Sequence, residues 1–104
     1  MTTARLLEMG KDLASRERAR RLREDFVREL GQAPHHLIFD FEGVRTLSDS
    51  FADELVAVLV EQNGAEWFKE HVRLVNLTAA HRHVVLSAVA ARLSRVRASS
   101  AAAF

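Results

Sequence analysis

The feature that most restricts the fold of this chain is a stretch of helix with almost no polar side. Residues 51–60 read FADELVAVLV, and apolar residues recur there at spacings of three and four, which predicts a helix. Its apolar stripe is formed by Phe51, Leu55, Val58 and Leu59 and is widened by Ala52, Val56 and Val60. Such a helix must be covered on more than one side, so other elements have to surround it.

Local patterns on both sides of this helix predict strands and helices in alternation. A first helix follows the N-cap candidate Ser15 and ends at Gly31 and Pro34. HHLIFDFEGV alternates apolar with polar residues, and HVRLVNL is short and rich in valine and leucine, so both are predicted strands. Thr78 is the predicted cap of a last helix, and the NG pair at 63–64 closes the helix before it.

Strands separated by helices of this length need crossover connections, which favour parallel neighbours. We therefore predict one α/β domain over residues 1–96, with a mixed sheet of three to five strands and about three helices. Residues 1–13 form either a short strand or a small hairpin turned at Gly10, and GAEWFKE is a connector with room for a short edge strand. Residues 97–104 lack apolar periodicity, so a disordered tail is expected.

Composition bounds the class of protein. The chain has 104 residues, 48% of them hydrophobic and 28% charged, which is ordinary for one globular domain. Neither a run of eighteen apolar residues nor a signal-peptide pattern occurs, so a cytoplasmic location without membrane partners is expected. The absence of cysteine excludes disulfides and zinc sites built on sulfur.

The segment LSDSFADEL, residues 47–55, places serines and carboxylates at the start of the apolar helix. Ser50 followed by Asp53 has the spacing of a capping box. Asp49, Asp53 and Glu54 lie where the positive end of the helix dipole favours negative charge, by about 0.3–1 kcal/mol each. Helix initiation alone therefore accounts for every polar residue of the segment.

The stretch LIFDFEGVRTLSDSFADELVAVL also resembles the core of STAS domains, which occur in sulphate transporters and anti-sigma-factor antagonists. The closer resemblance, over about residues 5–95, is to the STAS-like domains of unknown function. In those domains a Ser-Arg pair opens the first helix and a Phe-Ala-Asp-Glu block opens the second. Here these motifs are Ser15-Arg16 and residues 51–54.

This resemblance implies a bacterial signalling module whose protein partner is an ATP-binding kinase or an anti-sigma factor. In anti-sigma antagonists a serine at the start of the second helix is phosphorylated, but the usual acceptor position falls here on Phe51. Ser50 is therefore the first phosphorylation candidate and Ser48 the second. The implied partner-binding residues are Asp49, Ser50, Phe51, Asp53 and Glu54.

The main alternative is a small-ligand or magnesium site, because oxygen ligands suit that ion. It would use carboxylates at the end of the predicted second strand and beyond, namely Asp40, Glu42, Asp49 and Asp53. A phosphoryl-accepting receiver domain would also need a lysine late in the chain, and neither Lys11 nor Lys69 is so placed.

The histidines and the glycines give no pattern that indicates a metal site or an enzyme. His81 and His83 are two residues apart, which places them on different helix faces, and His35-His36 precede a strand, so no metal is expected. No phosphate-binding or dinucleotide glycine pattern and no nucleophile motif occurs, so we expect no enzyme and no cofactor.

The arginines of the first helix do not indicate nucleic-acid binding. Arg16, Arg20 and Arg23 alternate with acidic residues, as in a salt-bridged solvated face, and the net charge is only +1. We expect no nucleic-acid partner, and the sequence leaves both a monomer and a homodimer open.

Overall fold

The described part of the chain forms five short strands in two sheets, and every strand pairing in it is parallel. The computed structural model describes residues 2–32 and 36–102. Its strands are β1 (Thr2–Arg5), β2 (Asp12–Leu13), β3 (Leu37–Asp40), β4 (Thr46–Leu47) and β5 (Val72–Val75). One sheet has the order β1-β3-β5 and the other pairs β2 with β4. The sequence predicts the α/β class and the parallel neighbours, whereas the strands are divided between two sheets instead of forming one mixed sheet.

Four helices complete the described part of the fold. Helix α1 is Arg16–Gln32, and α2 covers 49–63 as an α-helical turn (Asp49–Ala52), a π-helical segment (Asp53–Ala57) and a second α-helical segment (Val58–Asn63). Helices α3 and α4 are Ala65–His71 and Ala79–Ala102. A 3₁₀ turn, Leu6–Met9, follows β1.

Helix α2 is the centre of the molecule, as its nearly continuous apolar sequence requires. Every residue from 51 to 60 is buried except Glu54, which is half-buried. The helix packs between α1 and α4. The sheet joins the same core through Leu37 and Phe39, which are buried on one side of β3, and Phe39 meets Phe26 of α1 edge to face at 5.6 Å.

The helix starts predicted at Ser15 and Thr78 are confirmed. The Ser15 hydroxyl accepts a hydrogen bond from the Arg18 amide at 3.2 Å. Thr78 accepts one from the His81 amide at 3.0 Å, and the Thr78 amide donates to His81 Nδ1 at 3.3 Å, so a histidine takes the place that glutamate holds in a capping box. The end of α2 at Gly64 is also confirmed, since Gly64 has φ +91° and its amide donates to Val60 at 2.8 Å.

Three segments differ from the prediction. Residues 1–13 contain two strands that join different sheets, so the strand alternative is right and the hairpin at Gly10 is wrong. The segment GAEWFKE is predicted to be a connector, but its residues after Gly64 belong to helix α3. Gly64 separates this helix from α2, and Trp67 and Phe68 pack on the core. Helix α4 continues to Ala102, beyond the predicted domain end at 96. Pro34 and residues 103–104 lie outside the described residues.

Candidate functional site at the start of helix α2

Ser48, not Ser50, caps helix α2. The Ser48 hydroxyl accepts a hydrogen bond from the Phe51 amide at 3.0 Å and donates to the Ala14 carbonyl at 3.4 Å. Ser48 is extended (φ −77°, ψ 157°) because strand β4 ends just before it, so the helix begins one residue later and Ser50 falls inside its first turn. The predicted Ser50–Asp53 capping box is therefore wrong.

The five predicted partner-binding residues divide between surface and interior. Asp49 is exposed and Ser50 is half-buried, whereas Phe51 is only 1% exposed and belongs to the core. Asp53 is 7% exposed, and Glu54 is half-buried. Phe51 and Asp53 are thus out of reach of a docking partner, and the surface that remains at this helix start is formed by Asp49 and the half-buried Ser50, while the half-buried Glu54 is engaged by Arg16 and Arg23.

Asp53 is held by arginines from both neighbouring helices. Arg92 of α4 forms a bidentate salt bridge with its carboxylate, in which Nε donates to Oδ1 at 2.7 Å and Nη2 donates to Oδ2 at 2.6 Å. Arg16 of α1 donates to the same Oδ2 at 2.8 Å, and Arg95 approaches Oδ1 at 3.6 Å. Asp53 opens the π-helical segment of α2. Because Arg16 and Arg92 bind its carboxylate from α1 and α4, this residue joins three helices at one point.

Two further carboxylates of α2 extend this network. Glu54 binds Arg16 at 3.2 Å and Arg23 at 2.9 Å, while Glu61 binds Arg92 at 2.7 Å. Four arginines therefore face three carboxylates, and we call this set the arginine cluster: Arg16, Arg23, Arg92 and Arg95 with Asp53, Glu54 and Glu61. It connects the Ser15-Arg16 motif with the Phe-Ala-Asp-Glu block, which lie more than thirty residues apart in sequence.

The electrostatics of the cluster fix Asp53 as an anion. Its hydrogen bonds from Arg92, reinforced by those from Arg16, outweigh burial and lower the pKa of Asp53 to about 2 from an ordinary 3.8. The same contacts raise the pKa of Arg92, with Asp53 as the first cause and Glu61 as the second. Ion pairing also raises the pKa of Arg16, again chiefly through Asp53. Asp53, Arg16 and Arg92 therefore stay charged throughout the physiological range.

The charge pattern of the sequence fails to predict this cluster in two ways. It assigns Arg16 and Arg23 to a solvated face, yet Arg23 is 7% exposed and both arginines bind α2. Within α1 the expected surface pairs do form, between Arg21 and Glu17 and between Arg28 and Asp25. It does not single out Arg92 or Glu61 at all. The usable signal was Asp53-Glu54, two charges inside an apolar run that needed buried partners.

The carboxylates proposed for a magnesium site are not brought together. Asp40 accepts hydrogen bonds from Asn76 at 2.9 Å and from the Glu42 amide at 3.0 Å, which lower the pKa of Asp40. Asp53 is engaged in the arginine cluster. In residues 2–32 and 36–102, no three side chains of the types that bind metals converge. The geometry thus gives the metal alternative no support.

His81 and His83 lie on different faces of α4, as their spacing predicts. His81 is 2% exposed and serves the cap of α4, whereas His83 is exposed on the same helix. His36 is exposed ahead of β3, and His35 lies outside the described residues.

Fold and cluster together define a small parallel α/β domain in which a buried central helix is tied to its two neighbours by ion pairs. The chain belongs to the family described as STAS-like domain of unknown function (DUF4325), which matches residues 18–82. The matched range includes the Phe-Ala-Asp-Glu block and begins just after Ser15-Arg16. No curated protein and no solved structure matches the chain. Across the described residues, no helix combines the length and the apolar content that crossing a bilayer requires.

Proposed function

We propose that this protein is a non-enzymatic interaction module of bacterial signalling, whose partner is an ATP-binding kinase-type protein or an anti-sigma factor. The observation that carries the proposal is the first turn of α2, where Asp49 and Ser50 reach solvent while Phe51 and Asp53 anchor the same turn in the interior. A surface held in this way is preorganised, so a partner that docks there spends little free energy on ordering it.

Serine phosphorylation of this turn is the proposed switch, and Ser50 is its site. The Ser48 hydroxyl already accepts a hydrogen bond from the Phe51 amide and donates one to the Ala14 carbonyl. A phosphate on Ser48 would break these bonds and weaken the start of the helix. The Ser50 hydroxyl forms no hydrogen bond with the described residues, so its modification leaves the cap in place.

A phosphate on Ser50 would act on the partner and hardly on the fold. It adds about −1.5 to −2 charges beside Asp49. The residues one turn further on, Asp53 and Glu54, already have arginine partners, so the added repulsion within the helix is small. The modified surface would repel an acidic partner and attract one that presents arginines.

The test is to incubate the purified chain with ATP and the kinase-type ATPase encoded nearest to it, and to measure intact mass and fragment masses. The proposal expects one phosphate on Ser50, none in Ser50→Ala, and continued modification of Ser48→Ala. Binding of the same ATPase is then compared for the unmodified chain and Ser50→Asp by calorimetry, with an expected change in Kd of at least about tenfold.

The matched control is Ser87→Asp, which adds the same charge to an exposed position of α4. If the mass stays unchanged and Ser50→Asp binds the ATPase as the unmodified chain does, the switch is refuted. If the ATPase does not bind the chain at all, the choice of a kinase-type partner is refuted as well.

A further inference from the structure

Strand β1 is an edge strand whose open side faces a hollow. It pairs with β3 over its whole length, from Thr2 to Arg5, and no other strand in the described part of the chain pairs with it. A hollow of about 540 Å³ follows its backbone from Thr3 to Leu6. An unpaired edge of four residues is about 13 Å long and presents free amide and carbonyl groups to whatever enters this space.

The wall opposite the edge is apolar and comes from helix α1. Leu22 is half-buried and Phe26 nearly buried, and both line the hollow together with Met9 of the 3₁₀ turn. Helix α1 thus forms one wall of the hollow that borders the edge strand. This is the geometry in which one more strand would find a backbone partner on one side and an apolar surface on another.

The hollow continues towards the start of α1. A second hollow of about 230 Å³ shares Met9 with the first and is lined further by Ala14, Ser15 and Arg18. We call the two hollows together the β1 groove. The groove follows the backbone of an edge strand, which suits an extended segment that can pair with that backbone.

The charge around the β1 groove is positive. Arg5 and Arg18 line it, and neither forms a salt bridge with a described residue. The acidic residues that line it are Glu8 and Asp12, but Asp12 is paired with Arg45 at 2.7 Å and accepts a hydrogen bond from the Thr46 hydroxyl. A ligand of complementary charge is therefore acidic.

We propose that the β1 groove binds an extended acidic peptide segment of a partner protein, which adds to β1 as a further strand. Backbone hydrogen bonds to β1 supply the register, alternate apolar side chains of the segment enter the space beneath Leu22 and Phe26, and its acidic side chains meet Arg5 and Arg18. Neither Asp49 nor Ser50 lines the groove, although Phe51 lines its second hollow, and the proposal does not depend on the proposed phosphorylation.

The experiment uses a labelled peptide of about eight residues that alternates valine with glutamate, and the same peptide with lysine in place of glutamate. Fluorescence anisotropy with the full chain measures Kd at two salt concentrations, and amide NMR shifts locate the contact. The proposal expects saturable binding of the glutamate peptide, at least about tenfold weaker binding of the lysine peptide, and shifts concentrated at residues 3–6 and at Leu22.

Arg18→Glu should weaken binding of the glutamate peptide by at least about tenfold, whereas the matched control Arg82→Glu, an exposed arginine of α4, should not. Ser50→Asp should also leave it unchanged, which separates this proposal from the proposed function. Absent binding, equal binding of the lysine peptide, or shifts elsewhere would overturn it. A free chain that dimerises with residues 3–6 protected would assign the edge to a second copy and overturn it too.

Discussion

Asp53 places a negative charge in an almost fully buried position, and the arginine cluster is what makes that position tolerable. Removing a partner from a buried ion pair is far more destabilising than removing a surface charge, because the remaining charges stay without compensation. Asp53→Asn should therefore lower the free energy of unfolding by about 2–4 kcal/mol in urea denaturation. Asp25→Asn, which breaks an exposed pair within α1, should change it by less than about 1 kcal/mol. Equal effects would contradict the assigned role of Asp53.

The same residue gives the protein a defined acid sensitivity. Because the pKa of Asp53 is about 2 in the fold and 3.8 ordinarily, the unfolded chain binds more protons between these values. The contribution of Asp53, about 2 kcal/mol, is therefore complete above pH 4 or so and disappears as the pH falls through 2. The gap in unfolding free energy between the original chain and Asp53→Asn should shrink over that window. A gap that stays constant from neutral pH to pH 2 would contradict the low pKa.

Among the elements, helix α2 offers the sharpest test, because two serines compete for the role of its cap. Ser48→Ala should lower the free energy of unfolding by about 1 kcal/mol and speed hydrogen exchange at the Phe51 amide, which loses its acceptor. Ser50→Ala is the matched control and should change stability by less than about 0.5 kcal/mol, since alanine is a good helix residue. If Ser50→Ala lowered the free energy of unfolding more than Ser48→Ala, Ser50 and not Ser48 would be the cap.

The elements that sequence predicts well are those whose signal is local. Helix α2 and strand β3 follow from periodicity, and the caps Ser15 and Thr78 need only the next three residues. The pairing of β2 with β4 has no such signal, because each strand has two residues and their partners are more than thirty positions apart. Helix α3 has seven residues, too few for a helical period to stand out from a connector.

At the scale of the whole molecule, the site was harder to predict than the fold because its contacts join residues that are distant in sequence. Asp53 and Glu54 stand out in sequence as charges in an apolar run, but their partners are distant in sequence. Arg16 and Arg92 lie 37 and 39 residues from Asp53, and Arg23 lies 31 residues from Glu54. Which arginines reach them depends on how α1 and α4 cross α2. Only the packed structure contains that information, so the sequence can show that two charges interrupt an apolar run but not which residues pair with them.

The arginine cluster also implies that α1 and α4 stabilise each other through α2, since no ion pair joins the two helices directly among their described side chains. Arg16 and Arg92 share one carboxylate oxygen of Asp53, so either arginine still compensates that charge when the other is lost. When both are replaced by methionine, Asp53 retains only the longer contact to the exposed Arg95. The double variant should therefore lose more free energy of unfolding than the sum of the single variants, by about 0.5–3 kcal/mol.

The two single variants and the double variant form a double-mutant cycle, and its control is the cycle of Arg21→Met and Arg45→Met. These exposed arginines pair with different carboxylates, so their effects should add within about 0.5 kcal/mol. Urea denaturation of all six variants, with hydrogen exchange on the double variant, measures both cycles. The exchange should show amides of α1 and α4 losing protection together, because the shared carboxylate is what couples the two helices. Additive losses for Arg16 and Arg92 would mean that each helix is held to α2 independently.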